Sequence, residues 1–382
     1  MMIGLTILEF GLGLIMLFGV YQRRLKAERK FFKFAVNNDF YESRYFIKIA
    51  LLGCLIGSVI TGLLGLGVYP EWIFLYEVLS IVALLFISVS EWSLWALVLA
   101  SLLTLITHWF DLSWLPYSYQ YLVPIFSGHF VTGLLGLTFL YYVVKSLLLK
   151  KTNLLNLSPR ITKGKRGRRV AYYRWQEFTV VPLLVFVPGD LINHFTNWWP
   201  ILKLPGTDLG IFILPLFVGG LLKIKKEFPQ VLLHKYYQHQ TRMALLMLIA
   251  TIVSYFIPQK MLFASCVFGG VLLLEIYAYI KNQRQDQKAA RWFVETKQGV
   301  RVIAVKAETP AAKMGLQPGD TIMTCNKIPV NSENELYAAL QTDPVYCHLK
   351  VRTYAGDDKI TESAIFADSP HEIGLLLFRD EM

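Results

Sequence analysis

The chain has 382 residues, of which 54% are hydrophobic and 14% aromatic against 17% charged, with a mean hydropathy of +0.44. Ordinary soluble domains carry about 45–50% apolar residues, so a single water-soluble globule is excluded. The net charge of +11 does not mark a nucleic-acid-binding face, because the Lys and Arg residues gather beside apolar runs instead of on one folded surface.

In chain order the apolar runs are 3–21, 46–68, 72–89, 92–110, 121–144, 178–199, 208–222, 243–257 and 261–280. A helix needs about 20 apolar residues to cross a bilayer. The runs therefore predict a multi-pass α-helical membrane domain over residues 1–280, with 7–9 spans. The 178–199 and 208–222 runs carry Pro, Asn, His and Asp, which leaves a re-entrant pair open in their place, and the 243–257 run is short for a span. In the first run Arg23, Arg24 and Lys26 follow the apolar stretch instead of preceding it, as expected of an uncleaved anchor and not of a secretory signal. Placing the loops alternately on the two sides collects nearly all Lys and Arg on one side and leaves only Lys203 and Lys260 on the other. By the positive-inside rule the N-terminus is then expected outside and the C-terminal region in the cytoplasm.

Residues 159–174, PRITKGKRGRRVAYYR, concentrate Arg160, Lys163, Lys165, Arg166, Arg168, Arg169 and Arg174 beside a span. Two readings stand here: a topology determinant, or a contact for anionic lipid or an acidic partner, each charge contributing about 1 kcal/mol near an anionic leaflet. Asp190 and His194 lie four residues apart and on a helix would share a face, as a structural pair, at an outside interfacial position, or as part of a proton or ion path.

A polar linker, residues 281–292, contains no Pro or Gly and is free to continue the last span as a helix. The remaining residues, 293–382, change character. Residues 299–305 alternate around β-formers as a strand does, and Thr309-Pro310 supplies an N-cap and first-turn proline for a short helix ended by Gly315. A turn at Pro318-Gly319 leads into a strand over 321–325, Ser332 caps a helix over 333–341, and strands over 347–354 and 359–366 flank a turn at Gly356.

The run TPAAKMGLQPGDTI, followed by SENELYAAL, resembles the bacterial PDZ pattern. The resemblance implies a small α+β domain that receives an extended peptide by β-augmentation. It departs from the family at the Asn326-Lys327 turn, where Gly is usual second. It departs again before the first strand, where residues 292–295 lack the Gly of the carboxylate-binding loop. Gly374, Leu375, Leu376, Leu377 and Phe378 offer such a loop and strand at the other end of the domain. A circularly arranged PDZ domain is therefore expected, its groove lined by these residues and by Glu333, Tyr337 and Leu340 of the second helix, although an ordinary closing strand remains open for 375–378.

The sequence has no H-E-x-x-H metalloprotease motif, and its four cysteines lack metal-ligand spacing. The expectation is a non-enzymatic protein without cofactor or metal. Several basic-flanked spans followed by one PDZ domain resemble the MinJ family, membrane topological determinants of cell division in Gram-positive bacteria. That resemblance implies an adaptor bridging DivIVA and MinD at septa and poles. A PDZ-gated intramembrane protease or protease regulator, and a transporter with a PDZ recognition domain, stay open beside it.

Overall fold

The structure is a computed structural model and describes residues 2–32, 35–36, 39–85, 92–109, 128–152, 157–163, 168–192, 199, 209–288, 293–306, 308–343, 345–364 and 373–379. The N-terminal part contains the helices α1 (Met2–Phe32), α2 (Tyr41–Leu64), α3 (Pro70–Leu85), α4 (Trp92–Trp109) and α5 (Gly128–Lys151). It continues as the strands β1 (Ser158–Lys163), β2 (Arg169–Ile192) and β3 (Leu209–Ile224) and closes with the helices α6 (Pro229–Phe256) and α7 (Lys260–Lys288). Among the described residues, four helices are long and apolar enough to cross a membrane, namely α1, α2, most of α5 and most of α7. Large aliphatic side chains such as Ile3, Leu51, Leu55 and Leu273 stand on their outer faces, as a lipid-facing surface requires.

The two runs read as the sixth and seventh spans are not helices. They form a long antiparallel hairpin, β2 with β3, and β1 adds to its base on the other edge of β2. The sequence read as a span because helices cover both faces of this sheet, so the strands show a continuous apolar run without alternation. β3 is 16 residues long, about 50 Å of extended chain, comparable with the full depth of a bilayer. The hairpin begins and ends at one face, so the sidedness of the helices around it is the same as with two spans. Asp190 accordingly lies exposed on β2 and shares no helical face with a partner; His194 lies outside the described residues.

An open sheet edge is not tolerated in hydrocarbon, where each unpaired backbone group costs several kcal/mol. Here neighbouring elements pair the middle stretch of each edge. On the β2 edge, Leu184 donates its N–H to the Ser58 hydroxyl (3.1 Å) and accepts at its carbonyl from Thr61 (2.6 Å), both on α2. The loop after α2 then pairs main chain to main chain, Val68 donating to the Phe186 carbonyl (2.8 Å) and Phe186 to the Leu66 carbonyl (3.2 Å). On the β3 edge, Tyr76 of α3 donates to the Pro215 carbonyl (3.3 Å) and accepts from the Phe217 N–H (2.9 Å). Ser93 of α4 does the same for Gly219, at 3.1 Å in each direction.

These bonds fix which residues point their main chain outward, and the register places Pro182 directly opposite Pro215 on that same set. Each proline removes one outward N–H that would otherwise need a partner. α2 can lie flat enough to reach Leu184 because Gly57 faces β2: a Cβ there would stand 2.3 Å from the Leu183 side chain.

At the basic end, Arg24 ties α1 to α2, donating to Glu42 at 2.6 and 3.2 Å and to the Asp39 carbonyl at 2.9 Å. The polar stretch after Ile280 continues α7 to Lys288. Within it the buried Asp286 carboxylate accepts from the N–H groups of Lys225, Lys226 and Glu227, joining α7 to the base of the hairpin.

Ser93→Ala leaves both main-chain groups of Gly219 unpaired in the apolar interior and is expected to destabilise the protein by about 1–3 kcal/mol. Ser265→Ala, which removes a hydroxyl bonded only within its own helix, is the control and should stay within about 0.5 kcal/mol. Thermal unfolding in detergent compares the two.

Candidate functional site

Beyond α7 the chain builds β4 (Val300–Arg301), β5 (Ala304–Val305), α8 (Pro310–Lys313), β6 (Thr321–Cys325) and β7 (Ile328–Pro329). It then adds α9 (Glu333–Gln341), β8 (Tyr346–Arg352), β9 (Asp358–Ala364) and β10 (Leu375–Leu376). One sheet runs β4-β6-β8-β9 with β7 on β6, and a second pairs β10 with β5. The strand expected over 299–305 is thus two short strands. Between them Val302 donates to the Asp320 carbonyl (2.8 Å) and Ile303 to the Leu376 carbonyl (2.8 Å), which hands the chain from one sheet to the other.

Local chemistry explains most of these elements. Ser332 accepts from the Glu335 N–H (3.2 Å) while Glu335 reaches back to the Asn331 N–H (2.8 Å), a near capping box that starts α9. Thr309 does not cap α8; its hydroxyl donates to the Lys306 carbonyl instead (2.7 Å). Asn326 and Lys327 both take positive φ, 49° and 67°, in the two-residue turn between β6 and β7. The Asn326 side chain secures that turn, donating to the Ala339 carbonyl (3.1 Å) and accepting from the His348 N–H (3.0 Å). All four cysteines are free.

β10 runs antiparallel to β5, with Leu375 opposite Val305 and Leu376 opposite Ala304. The Gly374 carbonyl accepts from the Lys306 N–H (2.8 Å), so the main chain of Leu375 and Leu377 points to the opposite edge, where no partner is recorded among the described residues. The side chains alternate. Ile373, Leu375 and Leu377 enter the core of this domain together with Leu336, Ala339 and Leu340 of α9, whereas Leu376 and Phe378 join the core of the membrane part. Leu340, expected toward a groove, is thus buried core. Leu376 and Phe378 cannot line a peptide pocket either, because that face of the strand is covered by the membrane part. Glu333 and Tyr337 stay half-buried on α9. Gly374 has φ +88°, and a Cβ there would lie 2.2 Å from the Thr309 hydroxyl.

The expected lipid-contact cluster is redistributed in the same way. Lys163 and Arg168 are exposed and Arg160 and Arg174 half-exposed on the β1–β2 ribbon, while Lys165 and Arg166 lie outside the described residues. Arg169 is committed elsewhere: it pairs with Glu295 (2.5 Å), donates to the Arg379 carbonyl and stands 5.8 Å from the centre of the Phe378 ring. Residues 293–295 extend the membrane sheet, Ala171 donating to the Phe293 carbonyl (2.8 Å) and Glu295 to the Arg169 carbonyl (3.1 Å). Phe293 is buried against Tyr173 and Phe228 at 4.9 and 5.8 Å, and the Tyr173 hydroxyl donates to the Ile303 carbonyl. The C-terminal domain is therefore seated on the base of the hairpin by main-chain, ionic and aromatic contacts. Sequence reasoning missed Tyr173, Phe228 and Phe293; the aromatic pair Trp292-Phe293 at the end of a polar linker was the available signal.

Residues 291–362 match the PDZ domain family. The match stops short of β10. A protein of Lacticaseibacillus paracasei described as a probable cell division topological determinant MinJ is 32% identical over 225 residues, 59% of this chain and 59% of that protein. The cell division topological determinant MinJ of Bacillus subtilis (strain 168) is 25% identical over 224 residues, 59% of this chain and 56% of its own length. The chain is a homologue of MinJ with a C-terminal PDZ domain. It matches somewhat under two thirds of the length of these curated MinJ relatives.

The Arg169 guanidinium holds the Glu295 carboxyl below its ordinary value of 4.5. A depressed carboxyl stabilises the seated state in full above that ordinary value, and the contribution is lost as pH falls through the lower seated value. Protection of the Glu295 N–H from hydrogen exchange, taken relative to the intrinsic exchange rate at each pH, should accordingly fall below pH 4.5, and Arg169→Gln should remove that acid dependence. Gly374→Ala is expected to cost more than about 2 kcal/mol through strain and overlap with Thr309, seen as a lowered thermal midpoint.

Proposed function

We propose that the protein is a non-enzymatic membrane adaptor in division-site selection, presenting its PDZ domain at the cytoplasmic face and recruiting partners along the outward edge of β10 beside α9. The observation that carries this is the seating of residues 293–295 as an added strand on the membrane sheet, because it gives the PDZ domain a fixed orientation to the bilayer. Homology to MinJ supports the division role. The orientation is supported by the basic ends of α1, α5 and α7 and the basic base of the hairpin, which share one face, together with the positive-inside rule.

A partner segment would add its main chain to the outward groups of Leu375 and Leu377, with Glu333 and Tyr337 of α9 bordering the groove. Gly374 opens the loop at its end, where the N–H groups could receive a terminal carboxylate. DivIVA-like and MinD-like proteins are the partners proposed, at septum and poles, with the anionic bilayer as a further contact through Arg160, Lys163, Lys165, Arg166, Arg168 and Arg174. Arg169 serves the seat of the PDZ domain instead.

Glu333→Lys with Tyr337→Phe changes only half-buried positions, keeps the ring that packs on the PDZ core, and is expected to reduce partner capture by about tenfold or more while the thermal midpoint shows the domain still folded. Crosslinking of a fluorescent fusion in dividing cells, followed by mass spectrometry, reads the result. Capture equal to wild type would move binding away from the α9–β10 groove, and a uniform membrane distribution without division proteins would remove the adaptor reading.

A further inference from the structure

A cavity of about 390 Å³ opens between α6 and α7, lined by Lys235, His239 and Arg242 on the first helix and by Leu274, Tyr277 and Lys281 on the second, with amide side chains between. No carboxylate is among its lining residues. Lys235 is paired with Glu227, and His239 stands 3.3 Å from Glu275, but among the described residues no ion pair involves Arg242 or Lys281. The cavity thus holds uncompensated positive charge in a space of the size that takes a small-molecule group.

Its depth is set by the sequence of both walls. On α6 the apolar run begins at Met243, next to Arg242; on α7 it ends at Ile280, next to Lys281. The cavity therefore sits where both helices pass from apolar to polar, the level of phospholipid headgroups. Tyr277 lies at this border, 62% exposed, with the Lys281 ammonium 5.9 Å from its ring centre. On the apolar side the outer faces continue as exposed aliphatic surface, Leu245, Leu246 and Ile249 on α6 and Leu273 on α7. A basic recess at headgroup depth above an exposed aliphatic surface has the two chemistries of one anionic phospholipid. Free phosphate would use only the first of them.

We propose that this cavity binds the headgroup phosphate of an anionic phospholipid in the leaflet at the basic face, with an acyl chain lying along α6 and α7. The site is separate from the β1–β2 ribbon and from the PDZ groove, and it stands independently of the adaptor role.

The test uses the full chain in detergent micelles containing equal amounts of phosphatidylglycerol and phosphatidylcholine, read by native mass spectrometry. Preferential retention of phosphatidylglycerol is expected, lost in the Arg242→Gln/Lys281→Gln double variant and kept in Arg160→Gln/Lys163→Gln. Equal retention of the two lipids by the wild type, or undiminished retention by the first double variant, would overturn the proposal. Excess inorganic phosphate should leave retention unchanged; displacement of the lipid would assign the recess to free phosphate and also overturn it. Should the double variant not fold, a photoactivatable phosphatidylglycerol analogue on the wild type decides: crosslinks within residues 235–285 support the site, and crosslinks confined to other segments refute it.

Discussion

Everything in the membrane part is arranged around one obligation, the pairing of main-chain groups along the two edges of a β-hairpin placed at membrane depth. A helix satisfies its own backbone, but a hairpin leaves alternate N–H and C=O groups pointing outward on each side. Ser58 and Thr61 answer one edge, Tyr76 and Ser93 the other, and the main chain at Leu66 and Val68 adds to the first. The positions of α2, α3 and α4 follow from this requirement, since each must bring a hydroxyl within bonding distance of a particular residue. The short α3, 16 residues long, is explained in these terms better than as a simple span: Trp72 and Tyr76 stack in the interior, and the Tyr76 hydroxyl serves the sheet.

The helical spans were legible in the sequence because hydropathy reports burial in lipid directly. The hairpin was not, because hydropathy cannot tell a strand covered on both faces from a helix. Proline was the sign that separates them. Pro182 and Pro215 would each interrupt a helix, yet on strands they fall opposite one another where a missing N–H is an advantage. Hydroxyl residues on α2 and α4 were a second sign, legible only once the partner strand is known, since serine and threonine in an apolar helix more often bond to their own preceding turn.

In the PDZ domain the turn chemistry and the first-turn proline located the elements well, because glycine, proline and asparagine act through local geometry. The destination of the last strand was harder. Leu375, Leu376, Leu377 and Phe378 form an unbroken apolar run, and such a run carries no record of which neighbour covers which face. The structure divides it by parity, odd positions to the PDZ core and even positions to the membrane part. Arg169 shows the same limit from the charged side. Among neighbouring basic residues its composition is ordinary, and only the position of Glu295 separates a domain contact from a lipid contact.

The divided strand has a practical side. A PDZ domain cut free from α7 would carry Leu376 and Phe378 uncovered beside Phe293 and Ile303, with no remaining partner for that apolar face. Such a fragment would self-associate in water, and its behaviour in solution would describe the severed surface more than the protein from which it came.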